Sequence, residues 1–416
     1  MNRHPLYNLI QNSMLMTSLA KDYGTPLYIY SEKRLLANLD RLNNALKTNF
    51  NKYHICYALK ANSNPALITK MKNHLTSLGA DCSSPGELRA AKLAGIDHHE
   101  CIYTGNYESQ EDLQAAYNSG CHINLDDITS FHRLTKIGIP DEISFRLNPG
   151  FGRGTFSQII TAGKNAKFGV PHYDIVNAYR TAKNAGVKRF GIQCMTGSGI
   201  LDPDYFSALM KDILKNTNII HQELGIRMDY ISLGGGFGIP YQDGETPLDF
   251  DRVFKEVGDV FSAHFKKDTI PSLWIEPGKS VVGDTGLQLT KVTGIKKSYK
   301  TFIGLDAGME SLMRPALYGA YHRIYKVGEP GAKSTNIVDI TGRICENTDR
   351  LAVDRPFPKV SEDDLIAIMD TGAYGYAMAH QFNTRPRPAE VLINGDQSHL
   401  IRKRETIQDI FRTCDV

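Results

Sequence analysis

His54-Ile55-Cys56-Tyr57-Ala58-Leu59-Lys60 is an apolar run closed by a lysine, and seven more runs of similar texture follow it. They occupy residues 77–82, 101–105, 122–126, 142–148, 189–195, 229–234 and 272–276. Amphipathic helical patterns separate them, for example over 85–93, 110–118, 173–185 and 205–216. A short continuous apolar run followed by a helix-period stretch is what a parallel strand buried on both faces requires. Eight such units match the rhythm of a (β/α)8 TIM barrel of roughly 250 residues. A doubly wound open sheet shares the alternation and differs in closure.

Beyond Gly283 the texture changes. Residues 287–296, 301–305, 336–341 and 365–370 alternate or run apolar, with turns between them and few helical stretches. This reads as a C-terminal β-barrel or sandwich domain. The expected division is a barrel at 27–282 and a β-rich domain at 283–416, with residues 1–26 joining the latter. The fold class is therefore α/β plus β.

Hydrophobic residues make up 41% and charged residues 22%, and the net charge is +3 with no basic block. That balance gives no footprint for nucleic acid. The N-terminus has no apolar run of signal or transmembrane length, so neither a membrane partner nor export is expected. Seven cysteines at 56, 82, 101, 121, 194, 345 and 414 form no Cys-x-x-Cys pair. Free thiols, no metal and a cytoplasmic setting follow as expectations.

A TIM barrel gathers its functional groups at the C-terminal strand ends. Lys60 closes the first strand, where desolvation favours a nucleophilic amine. A lysine snorkelling to the surface would look the same. Gly234-Gly235-Gly236 follows the seventh strand, and such a run lets backbone amides approach an anion. A tight turn is the plainer reading. Glu276 closes the eighth strand, where a buried carboxylate is costly without a cation. A protonated pyridine nitrogen would provide one.

These strings resemble the fold-type III pyridoxal-phosphate decarboxylases: Tyr57-Ala58-Leu59-Lys60-Ala61-Asn62, Gly234-Gly235-Gly236-Phe237-Gly238-Ile239-Pro240-Tyr241 and Glu276-Pro277-Gly278. Further strings are similar to the diaminopimelate decarboxylase branch. They are Asp306-Ala307-Gly308-Met309, the run from Arg314 to His322, Cys345-Glu346, Gly372-Ala373-Tyr374-Gly375 and the run from Asn383 to Val391. The pieces are collinear from about residue 25 to 395.

The resemblance implies pyridoxal 5'-phosphate as cofactor and decarboxylation of meso-2,6-diaminopimelate to L-lysine and carbon dioxide. Lys60 would carry the cofactor as a Schiff base. Met195, Ser198, Gly235, Gly236, Glu276, Pro277, Gly278, Lys279 and Tyr374 would line it, with Glu276 on the pyridine nitrogen. Lys279, Arg314, Tyr318, Glu346 and Tyr374 would hold the amino-acid substrate. Cys345 would return a proton to the α-carbon. A homodimer with shared active sites is also implied, Cys345 and Glu346 entering the partner's barrel mouth.

Three departures stand out. The family's His-x-Gly-Ser is Met195-Thr196-Gly197-Ser198, and a thioether makes no strong hydrogen bond. Glu-Pro-Gly-Arg has become Glu276-Pro277-Gly278-Lys279, exchanging a bidentate fork for a point charge. Asn347-Thr348 stands where Ser-Gly or Ser-Ser is usual. The alternative these leave open is the same chemistry on another diamino acid or a carrier-bound amino acid. A racemase would need a second base, and a non-catalytic relative would typically lose Lys60 or the cofactor contacts.

Overall fold

The computed structural model describes residues 4–265 and 270–415. Residues 1–3 and 416 of the expected β-rich domain, and 266–269 of the expected barrel, lie outside them. The chain divides into two compact units, one of residues 38–239 and 246–280, the other of residues up to 37, 240–245 and from 281 onward.

Strand β1 (Leu27–Ser31) belongs to the second unit. The first unit is built on β2 (Tyr53–Ala58), β3 (Gly79–Cys82), β4 (Cys101–Thr104), β5 (His122–Leu125) and β6 (Glu142–Asn148). It continues with the two-residue β7 (Val170–Pro171), then β8 (Arg189–Gln193), β9 (Met228–Ser232) and β10 (Ser272–Ile275). Apart from β7, which hangs on β6, these strands form a closed parallel ring. Closure rests on β10 pairing with β2 and β5 pairing with β6, which excludes the open sheet. All seven residues of β6 are buried, as expected for a strand covered on both faces.

Local chemistry starts the helices where the strands end. Asn64 Oδ1 accepts from Ala66 N at 3.0 Å and caps the helix Pro65–His74. Ser84 Oγ does the same for Pro85–Leu93, accepting from Glu87 N at 3.2 Å. In both, proline at the first helical position fixes a helical φ where its missing N–H is not needed.

Towards the N-terminal strand ends the barrel is filled by aromatic rings. Tyr230 stacks on Trp274 at 4.2 Å, and His122 meets the same indole edge-on at 4.7 Å. A Cβ on Gly191 would lie 2.2 Å from the Tyr230 ring, so only glycine admits the stack.

The second unit holds a mixed sheet of β1 with β11 (Gly286–Lys297), β12 (Thr301–Leu305), β13 (Ile324–Lys326), β14 (Asn336–Thr341), β15 (Arg350–Phe357), β16 (Leu365–Ile368), β17 (Ala389–Asn394) and β18 (Gln397–Arg402). Its central path runs β15-β14-β12-β11-β1-β17-β18.

Here the sequence-based boundaries shift. β1 pairs with β11 on one side and β17 on the other, so residues 27–37 group with this sheet and not with the barrel. Residues 281–282 and 240–245 move with them. The N-terminal residues lie against the sheet as the helices Tyr7–Gln11 and Ser13–Tyr23, not as strands. Their Ile10, Met16 and Leu19 share a core with Leu27, Leu287 and Val391.

Candidate active site

The strand-end rule collects its residues at the C-terminal mouth of the barrel. Lys60 sits in a 3-10 turn, Leu59–Ala61, directly after β2. Its Nζ donates to Oδ2 of Asp81, at the end of β3. Asp81 is fully buried, and its Oδ1 has no hydrogen-bond partner. Asp81 was not singled out from the sequence, although a carboxylate in the short run Ala80-Asp81-Cys82 obeys the rule that found Lys60 and Glu276.

Glu276 follows β10 and is buried. It accepts from Ser232 Oγ at 2.6 Å and from Gln193 Nε2 at 2.8 Å. Burial, and then the negative charge of Asp81, hold its carboxyl above the usual carboxylate range, against the opposing pull of Lys60. Gln193 Oε1 is a second buried acceptor without a partner. The mouth therefore presents an acid and two spare acceptors, a set suited to receive a cationic N–H group.

The glycine run follows β9. Gly236 has φ +96°, and a Cβ on Gly235 would sit 2.5 Å from the carbonyl oxygen of Glu276. Left-handed and close-packed glycines of this kind turn successive amides towards one point and make an anion nest. Met195 Sδ accepts from Gly235 N at 3.3 Å, tying the end of β8 to the nest. Ser198 lies in the same loop and accepts from Thr155 N at 3.1 Å through its carbonyl oxygen.

Pro277 O accepts from Ala58 N at 3.0 Å, which fastens Glu276-Pro277-Gly278 beside the Lys60 turn. Lys279 is buried at the start of the one-turn helix Lys279–Val282, and a Cβ on Gly199 would be 3.5 Å from its Nζ. The structure thus brings together Lys60, Met195, Ser198, Gly235, Gly236, Glu276, Pro277, Gly278 and Lys279. It adds Asp81, Gln193 and Ser232, and also Arg146, whose Nη2 donates to the carbonyl oxygens of Met195 and Thr161 at 3.1 Å each.

The other expected residues lie in the second unit. Arg314 is buried, with Nη1 3.0 Å from His322 Nε2. Tyr318 ends the same short helix, Arg314–Tyr318. Cys345 and Glu346 are exposed on one loop. Both amide atoms of Asn383 lie near Cys345 Sγ, with Nδ2 the nearer at 3.0 Å. Tyr374 is half-buried and holds a left-handed φ of 57°. Among the described residues no group of three or more His, Cys, Asp or Glu side chains could hold a metal ion.

Known proteins are similar to this chain in sequence and in fold. The family model for the pyridoxal-dependent decarboxylase, pyridoxal binding domain, matches residues 36–283. A diaminopimelate decarboxylase from Methanothermobacter thermautotrophicus is 39% identical over 402 residues, covering 96% of this chain and 93% of the relative. That of Archaeoglobus fulgidus is 36% identical over 400 residues, covering 95% and 94%. The solved structure of Helicobacter pylori diaminopimelate decarboxylase complexed with L-lysine superposes with a TM-score of 0.87 at 30% identity, covering 95% of this chain and 98% of that one. Similarity of this depth across nearly the whole of both chains leaves one assignment: the chain belongs to the pyridoxal-dependent decarboxylase family, among its diaminopimelate decarboxylases.

Proposed function

We propose that the chain decarboxylates meso-2,6-diaminopimelate to L-lysine and carbon dioxide with pyridoxal phosphate as cofactor. The observation that carries this is the buried acid Glu276, held with two spare acceptors in the same mouth as a strand-end lysine and a glycine nest. The residues present fit the cofactor. Glu276 suits its ring nitrogen, the amides of Gly235 and Gly236 its phosphate, and Lys60 its aldehyde carbon. When bound, pyridoxal phosphate supplies an electron-accepting ring for the pair left on the α-carbon as carbon dioxide departs.

The remaining work falls to the chain. Asp81 accepts a hydrogen bond from Lys60 Nζ and so orients the amine and steadies its charged form. Ser232 and Gln193 fix the Glu276 carboxylate, which then holds a proton on whatever nitrogen faces it. Met195 packs its thioether in the mouth; Ser198 would line the cofactor, and Tyr374 would reach its phosphate. Arg314, Tyr318, Glu346 and Lys279 bind the substrate's charged ends. Cys345 Sγ returns a proton to the α-carbon, and the Asn383 amide N–H beside it steadies the thiolate left behind.

A homodimer with shared sites is part of the same proposal, supported by the exposure of Cys345 and Glu346 on one loop. Mixing inactive Lys60→Ala and Cys345→Ala chains should then restore about a quarter of wild-type activity, the share expected when half the dimers are mixed and carry one intact site. Mixtures as dead as their parents would refute shared sites. The free cysteines support a reducing, cytoplasmic setting. No helix among the described residues is long and apolar enough to cross a membrane.

The test incubates the protein with pyridoxal phosphate and meso-diaminopimelate and measures carbon dioxide and lysine together, with Lys60→Ala as control. Equal amounts of both, abolished in the control, are expected. A normal cofactor absorbance without turnover would favour the second reading, another diamino acid or a carrier-bound amino acid. Lys279 is the residue that favours it, because its point charge does not select a carboxylate by bidentate geometry.

A further inference from the structure

Arg314 does not stand alone in its unit. Its guanidinium lies 3.0 Å from His322 Nε2, and on another side its Cζ lies 4.6 Å from the centre of the Tyr241 ring. The His322 ring is fully buried, and its Nδ1 lies 2.7 Å from the carbonyl oxygen of Met369. That oxygen only accepts, so Nδ1 carries the proton. Arginine only donates, so Nε2 must offer its lone pair. The two contacts together fix one neutral tautomer.

The next residue, Arg323, serves the other support of Arg314. It donates to Pro240 O at 3.0 Å, Gln242 O at 2.7 Å and Asp370 Oδ2 at 3.1 Å, and so pins the segment that carries Tyr241.

We propose that His322 is the positioning residue of Arg314: by accepting one N–H through Nε2 it fixes the rotation of the guanidinium and leaves the other donors aimed at a substrate carboxylate. This rests on the reading above that Arg314 binds substrate. His322 touches no reacting atom in this scheme. Its effect passes through the arginine, so it belongs to substrate affinity and not to the chemical step.

Two amides separate the two ring nitrogens. Glutamine reaches about as far as Nε2 and can still accept from Arg314. Asparagine stops near Nδ1 and can only satisfy the Met369 carbonyl. Steady-state kinetics on meso-diaminopimelate should therefore show KM raised about tenfold in His322→Asn, with kcat little changed. His322→Gln should restore KM to near wild type. Cofactor absorbance and thermal midpoint, measured on both, report folding.

Equal losses in both variants, or a fall in kcat alone, would mean a merely structural histidine and overturn the proposal. Arg314→Gln runs beside them. An unchanged KM there overturns the substrate role of Arg314 and this inference with it. A raised KM there with an unchanged KM in His322→Asn overturns the positioning role alone. If neither His322 variant folds, nitrogen NMR of the wild-type protein reads the His322 ring directly. A proton on Nδ1 and a bare Nε2 are expected, and a proton on Nε2 overturns the proposal.

Discussion

Replacing Glu310 by glutamine tests whether a buried acid, rather than the sheet around it, limits stability in the second unit. Glu310 is 3% exposed and its Oε2 has no hydrogen-bond partner. A Cβ on Gly308 would lie 2.5 Å from that oxygen and 2.8 Å from both oxygens of Asp349, so the two carboxyls crowd one glycine. Burial first, and then the Asp349 charge, push the Glu310 carboxyl up from 4.5 to about 7, with Arg343 and Arg385 pulling the other way. Between those two pH values the folded chain holds a proton that the unfolded chain has released. The stability that Glu310 contributes is therefore complete below pH 4.5 and lost as pH rises through about 7. A gap of about 2.5 pH units at ~1.4 kcal/mol each corresponds to ~3 kcal/mol. Glutamine has the same shape and no proton to lose. Urea unfolding of both proteins should agree near pH 4 and diverge by up to ~3 kcal/mol at pH 8, with Glu310→Gln the more stable. A difference independent of pH, or a glutamine variant less stable at pH 8, would refute the reasoning.

Three further outcomes are expected. Lys279→Ala should raise the Michaelis constant for diaminopimelate far more than it lowers turnover, since the lost group binds rather than reacts; an unchanged constant would remove Lys279 from the substrate site. Gly191→Ala should cost ~1–3 kcal/mol, because the new methyl meets the Tyr230 ring at 2.2 Å. Emission from Trp274, the sole tryptophan, should shift with it, and an unmoved unfolding midpoint would contradict this. Met195→Leu keeps the volume but removes the acceptor that competes for Gly235 N, so cofactor affinity should rise by about fivefold, at ~1 kcal/mol for one weak hydrogen bond. Absorbance titration measures it, and wild-type affinity would show that the thioether only fills space.

The eight barrel strands were legible because each is buried on both faces and so writes a continuous apolar run. The boundary expected at residue 27 was less legible: Leu27-Tyr28-Ile29-Tyr30 is also an apolar run, and only its partners, Leu289 and Ala389 among them, reveal that it belongs to the other sheet. Residues 240–245 carried no warning either, since the contact that claims them, Arg323, lies some eighty residues away. The site followed the same division. Lys60, Gly235, Gly236 and Glu276 sit at strand ends where composition alone is unusual. Ser232 and Gln193 are ordinary strand residues whose importance lies in one oxygen and one nitrogen aimed at Glu276.

Asp81 shows why those partnerships could not be read one residue at a time. Alone, it is a buried carboxylate that should destabilise the barrel, and so is Glu276. Together they share Lys60: Asp81 takes its hydrogen bond, while Glu276 feels its charge and is raised by Asp81. One ammonium does not settle two buried acids. A cationic ring nitrogen beside Glu276 would lower that carboxyl again and fill the role its neighbours prepare. Glutamine at 276 could still accept from Ser232 and would spare the fold a buried acid, yet it could not keep a ring nitrogen protonated. The placement of an acid there is thus costly for the barrel and useful only to the chemistry, which is the strongest physical reason to seat the cofactor at this mouth.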